Sequence, residues 1–136
     1  MRTEAVRGRA RLPQNVPMAN LRWIGLWHSD EHPGLPHPET WVDPAWGGWE
    51  KREVEYYLSS GSLGRAWMGY SECRLCGQEN GAGEFTDGWY VWPEGLVHYV
   101  KAHSVKLPDE FLTHALARRR QIEEAPRDES WWRTFA

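Results

Sequence analysis

The chain has 136 residues, 40% of them hydrophobic and 26% charged, with ten tryptophans, two cysteines and a formal net charge of −3. That length suits one domain with a modest core, in which large aromatics supply much of the buried area. Two cysteines exclude a disulfide-built secreted scaffold. No run approaches the ~18 apolar residues of a membrane span, and the N-terminus lacks the apolar stretch of a secretory signal, so a cytoplasmic setting is expected.

Residues 1–17 carry four arginines and one glutamate, a charge of +3 that leaves −6 on the remaining 119 residues. With no periodic apolar face, this opening reads as a flexible basic leader, and Met18 is a natural alternative start. Residues 18–136 are expected to form a single zinc-stabilised globular domain. In "ANLRWIGLW" the short apolar run fits helix and strand equally. The proline- and glycine-rich run from His28 to Trp49 predicts a long ordered loop pinned by Trp41, Trp46 and Trp49. "WEKREVEYYLSSG" predicts a helix that buries Val54, Tyr57 and Leu58 and stops near Gly61.

"GEFTDGWYVWP" reads as a hairpin, because Asp87-Gly88 lies between short aromatic and β-branched flanks. Pro93 then opens a short helix carrying Leu96, Val97 and Val100, and "SVKL" extends the chain again. "PDEFLTHALARRRQIEEA" starts with proline and acids, with Phe111, Leu112, Ala115, Leu116 and Ile122 as its apolar stripe. Arg118, Arg119 and Arg120 read as a solvated face near its end rather than a nucleic-acid patch. The apolar tail "SWWRTFA" is expected to dock back on the body. The fold class expected is a small α+β domain with a short antiparallel hairpin, about three helices and a structural zinc site.

The chemistry centres on "SECRLCG". Cys73 and Cys76 have the spacing of a metal-binding knuckle, and Gly77 can take the positive φ that lets the chain leave the turn. His98 and His103 complete a C-x2-C-x21-H-x4-H set. Residues five apart on an ideal helix point about 140° from one another, so the helix must end or tighten near Ala102 for both rings to reach one ion. A thioredoxin-like pair belongs at the start of a helix after a strand, whereas here a glycine-rich polar stretch follows. A Cys73–Cys76 disulfide, or two unrelated free thiols, leaves the two histidines unexplained. His28, His32 and His37 read as ordinary loop histidines, and His114 is the natural substitute if one ligand is misassigned.

Over residues 71–104, "CRLCG", "TDG" and "HYVKAH" resemble zinc-finger-like modules in the broad sense: a knuckle, a β-hairpin, then a helix bearing two histidines. The resemblance implies one structural Zn2+ held by Cys73, Cys76, His98 and His103. It departs from DNA-reading fingers, which have about 12 residues between the ligand pairs where this chain has 21. The helix stretch "GLVHYVKA" is also mostly apolar, so DNA recognition does not carry over.

Four protein ligands close a site to water, and two thiolates make the ion a poor Lewis acid. A zinc deaminase needs H-x-E ahead of P-C-x-x-C, and here the cysteines come first. The enzyme alternative, a zinc-dependent hydrolase, would use Glu94 as general base. The acidic body argues against nucleic acid as a partner, although exposed tryptophans could stack on single-stranded bases. The reading reached is a zinc-binding interaction or regulatory module with a tryptophan-rich surface and a protein partner.

Overall fold

The computed structural model describes residues 20–136, in which the chain runs through β1 (Arg22–Trp23), a 3-10 turn (Pro38–Trp41) and α1 (Gly48–Ser59). It continues through β2 (Ser62–Ala66), β3 (Gly83–Thr86), β4 (Tyr90–Pro93), α2 (Leu96–His103), α3 (Asp109–Glu124) and α4 (Ser130–Arg133). The four strands form one mixed sheet in the order β1-β4-β3-β2, with β1 parallel to β4 and the other pairs antiparallel. The fold is α+β, as expected. Three helices have eight residues or more, and a single-turn α4 is added to them. The expected leader, residues 1–17, lies outside the described residues.

Asp87-Gly88 makes the hairpin between β3 and β4. Gly88 takes a φ of +94°, and the Asp87 Oδ1 accepts the backbone N–H groups of Trp89 (2.9 Å) and Tyr90 (2.8 Å). The other oxygen, Oδ2, accepts the Tyr57 hydroxyl at 2.5 Å and lies 2.8 Å from the His114 Nε2. One turn residue thereby ties the hairpin to α1 and to α3. Trp92 on β4 is fully buried and donates its indole N–H to the Leu58 carbonyl at the end of α1. Around it pack Tyr57, Phe111 and Tyr90, giving a core built largely of aromatic edges and faces. α1 buries Val54, Tyr57 and Leu58, as its pattern dictates, and packs against α2 and α3.

Several elements differ from expectation. The glycine-bearing stretch after α1 is strand β2, whose five residues are all exposed, so it carries no alternating pattern. Of the tryptophans expected to pin the long loop, Trp46 is buried, Trp41 packs at the core's margin and Trp49 is exposed. The loop is held instead by backbone: Val42 bridges Val105, Asp43 N–H reaches the Ser104 carbonyl, and Lys106 N–H reaches that of Trp41. Ile122 is exposed, because the packed part of α3 ends near Ala115. The tail does not dock. Trp131, Trp132 and Phe135 are 69%, 69% and 65% exposed and stack on one another instead.

Two outcomes follow. Truncation before Ser130 leaves the melting temperature unchanged, which a thermal melt by circular dichroism checks. The second concerns Asp87. Burial pushes its carboxyl up, but hydrogen bonds, Tyr57's foremost and then those of Tyr90, Trp89 and His114, outweigh this and hold it below the usual value. A depressed folded-state pKa contributes stability that is present above the unfolded value of about 3.9 and lost as pH falls through the folded one. Asp87→Asn therefore melts below wild type at pH 6, and the gap narrows below about pH 4.

Candidate metal centre

The knuckle is a small closed loop whose own backbone shapes it. Ser71 and Gly81 are joined by the Ser71 N–H to Gly81 carbonyl bond (2.9 Å), and Glu72 bridges Glu79. Inside it, Cys73 N–H donates to the Gln78 carbonyl and Gly77 N–H to the Cys73 carbonyl (2.8 Å). Gly77 adopts a φ of +79°, which a side chain would strain. The Leu75 N–H points at the Cys73 sulfur, 3.3 Å away, the contact that stabilises a thiolate in such turns.

Two contacts fasten this loop to α2 and a third to the loop before α1. The Tyr99 hydroxyl accepts the Arg74 N–H at 2.8 Å, and its burial raises the phenol's pKa. Asn80 Nδ2 donates to the Gly95 carbonyl (3.0 Å) at the helix start. The Arg74 guanidinium also holds the His28 carbonyl, which brings in the loop that precedes α1. Cys73 is buried, His98 and His103 are half-buried, and Cys76 is exposed.

α2 carries both histidines. His103 is its last residue, and Ser104 turns left-handed at φ +52°, the one non-glycine positive φ among the described residues. Ser104 N–H reaches back to the Val100 carbonyl (3.1 Å) and Val105 N–H to that of Tyr99 (3.2 Å). The fully buried Val105 then seats the chain in the core. The His98 and His103 rings meet edge to face, 5.1 Å apart.

One donor atom from each of Cys73, Cys76, His98 and His103 lies within 4.8 Å of the other three. The Cys76 sulfur is 3.3 Å from the His98 Nε2. A tetrahedral ion at ordinary zinc–sulfur and zinc–nitrogen distances sets its ligands about 3.3–3.8 Å apart, so a contraction of about 1.5 Å at most closes the shell. Burial, and next the neighbouring His103, lower the pKa of His98 and favour the neutral imidazole that a metal requires. The His103 Nε2 is buried with no hydrogen-bond partner. An unpaired buried nitrogen is costly, and a metal ion satisfies it. The four residues could hold a metal ion.

The remaining candidates fall elsewhere. His114 belongs to the Asp87 cluster, so it is no substitute ligand. Glu94 is occupied: its Oε1 accepts the backbone N–H groups of Ala82 (3.0 Å) and Gly83 (3.1 Å). His28 and His37 stack on each other at 4.1 Å in the loop. Arg119 pairs with Glu53 and covers Tyr56, and Arg118 lies over Trp89, so both are half-buried and only Arg120 of the expected solvated face is exposed. The Asp87–Tyr57–His114 cluster was not foreseen; only the helical phase of Tyr57 and His114 hinted at inward-facing polar groups. Among the described residues, no helix is long and apolar enough to cross a membrane. Comparison of the chain with protein-family models, with curated proteins and with solved structures finds no match in any of the three.

The left-handed turn generates a direct test. Ser104→Val places a β-branched residue at positive φ, costing about 1–2 kcal/mol and loosening the end of α2 next to His103. Lower thermal stability and weaker metal retention are expected, whereas Ser104→Gly keeps both at wild-type level.

Proposed function

We propose that this chain is a zinc-binding module in which one Zn2+, held by Cys73, Cys76, His98 and His103, serves structure, and whose exposed tryptophans serve binding to another protein. The convergence of two thiols and two imidazoles around one point carries the reading, together with the unpaired His103 Nε2. Two sulfur and two nitrogen donors in a tetrahedral arrangement suit zinc among the available divalent ions. Four protein ligands leave no open position for water, which favours a structural ion over a catalytic one. Glu94, the group a hydrolase reading needs as general base, is already engaged by two backbone N–H groups. A reducing compartment such as the cytoplasm keeps both thiols available.

The energetic argument points the same way. The Ser71–Gly81 loop meets the body through few apolar side chains, Cys73 and Leu75 among them. Its shape rests on exposed backbone hydrogen bonds, which open at little cost. A metal that binds only the folded ligand set adds its binding free energy to folding. The interaction reading is supported by Trp49, Trp89, Trp131 and Trp132, all exposed by half or more. Tryptophan concentrates in binding hot spots.

Metal analysis with thiol titration on the purified chain tests the zinc assignment. One zinc per chain is expected, with thiols unreactive until a strong chelator removes the ion and residues 71–104 unfold. Cys73→Ser and His98→Ala each lose the metal and several kcal/mol of stability. If both variants melt with wild type, the assignment is wrong.

A further inference from the structure

A cavity of about 410 Å³ opens beside the knuckle, within the range of small-molecule sites. Its walls are largely apolar and aromatic and include Trp27, Trp67, Leu96 and Tyr99. Two groups of opposite charge stand in the same lining, Glu72 and Arg74. They are two residues apart, Glu72 at the bridge to Glu79 and Arg74 where the knuckle turn begins. Both are exposed, and among the described residues neither forms an ion pair with the other or with a third group. The Arg74 guanidinium is fixed at one end by the His28 carbonyl, which leaves further N–H donors for a ligand.

We infer that this cavity binds a small zwitterion with an aromatic side chain, an aromatic α-amino acid, with Arg74 taking the carboxylate, Glu72 the ammonium and the tryptophan-lined wall the ring. Charge complementarity decides between ligand classes. A purely apolar ligand pairs with neither charged side chain of the lining, and a simple anion or cation pairs with one and is repelled by the other. A group carrying both charges on one carbon satisfies both at once. Arginine suits the planar carboxylate, which it can grip through two N–H donors. The aromatic wall adds apolar burial and ring-to-ring contact. The site shares the knuckle backbone but none of the four metal-cluster side chains, so it stands whether or not the ion is zinc.

The test uses the full chain as purified, with its metal content measured in every sample. Calorimetric titration with L-phenylalanine is expected to show saturable one-to-one binding. Phenylacetate, which lacks the ammonium, and phenethylamine, which lacks the carboxylate, are each expected to bind at least tenfold more weakly. Glu72→Gln weakens L-phenylalanine at least tenfold and leaves phenylacetate unaffected or tighter, because only the ammonium contact is removed. Trp67→Ala weakens all three ligands together. Unchanged thermal melts and metal content show that these exposed substitutions leave the fold intact. No saturable binding of L-phenylalanine at about 10 mM overturns the proposal. Equal affinity for the three ligands, or a Glu72→Gln variant that binds L-phenylalanine as wild type does, overturns the zwitterion assignment.

Discussion

Two histidines five residues apart diverge by about 140° on an ideal helix, yet the His98 and His103 rings of α2 meet 5.1 Å apart. The helix stops at His103 and reverses through a left-handed Ser104, a conformation that an L-residue adopts at a cost of about 1–2 kcal/mol. That cost is offset locally. The turn seats Val105 in the core and lets its neighbours hold the long loop through Val42 and Asp43. One strained residue thus sets how the chain leaves the helix and what anchors residues 28–47.

Two polar clusters brace a modest aromatic core. The first is the Cys73–Cys76–His98–His103 group with its Tyr99 and Asn80 fastenings. The second is Asp87, which accepts four hydrogen-bonding groups from the hairpin, α1 and α3. Between them lie Trp92, Phe111 and Tyr57, with Phe111 edge to face against the other two. Each cluster joins segments distant in sequence, Cys76 to His98 in one and Tyr57 to His114 in the other. Buried polar groups of this kind cost free energy unless every partner is present, so they specify one arrangement among many compact ones. A chain with little core to spend gains definition this way.

Three tryptophans are buried: Trp92 donates to the Leu58 carbonyl and Trp46 to Glu50, whereas the Trp27 indole N–H has no partner. Others stay outside, and Trp49, the second residue of α1, faces water. The stacked trio Trp131, Trp132 and Phe135 satisfies part of its apolar surface internally and needs no body contact to form.

Local chemistry alone determined much of this protein. The Asp87-Gly88 turn, the knuckle spacing with Gly77, the amphipathic phase of Val54, Tyr57 and Leu58, and the proline and acids that open α3 each act through neighbours a few residues away, so they can be read in a row of letters. The same holds for the Cys73–Cys76–His98–His103 cluster, because four residues of two uncommon ligand types at recurrent spacings leave few alternatives. Tertiary structure decided the rest. Strand β2 exists because β3 offers it an edge, not because its own residues alternate. His114 faces Asp87 rather than the knuckle because of where α3 crosses the sheet. Glu94 serves the backbone of Ala82 and Gly83 because the hairpin brings them back to it. Whether an aromatic is buried, or whether Glu72 and Arg74 flank an aromatic wall, depends on which distant surface arrives opposite, and that is set by packing of the whole chain.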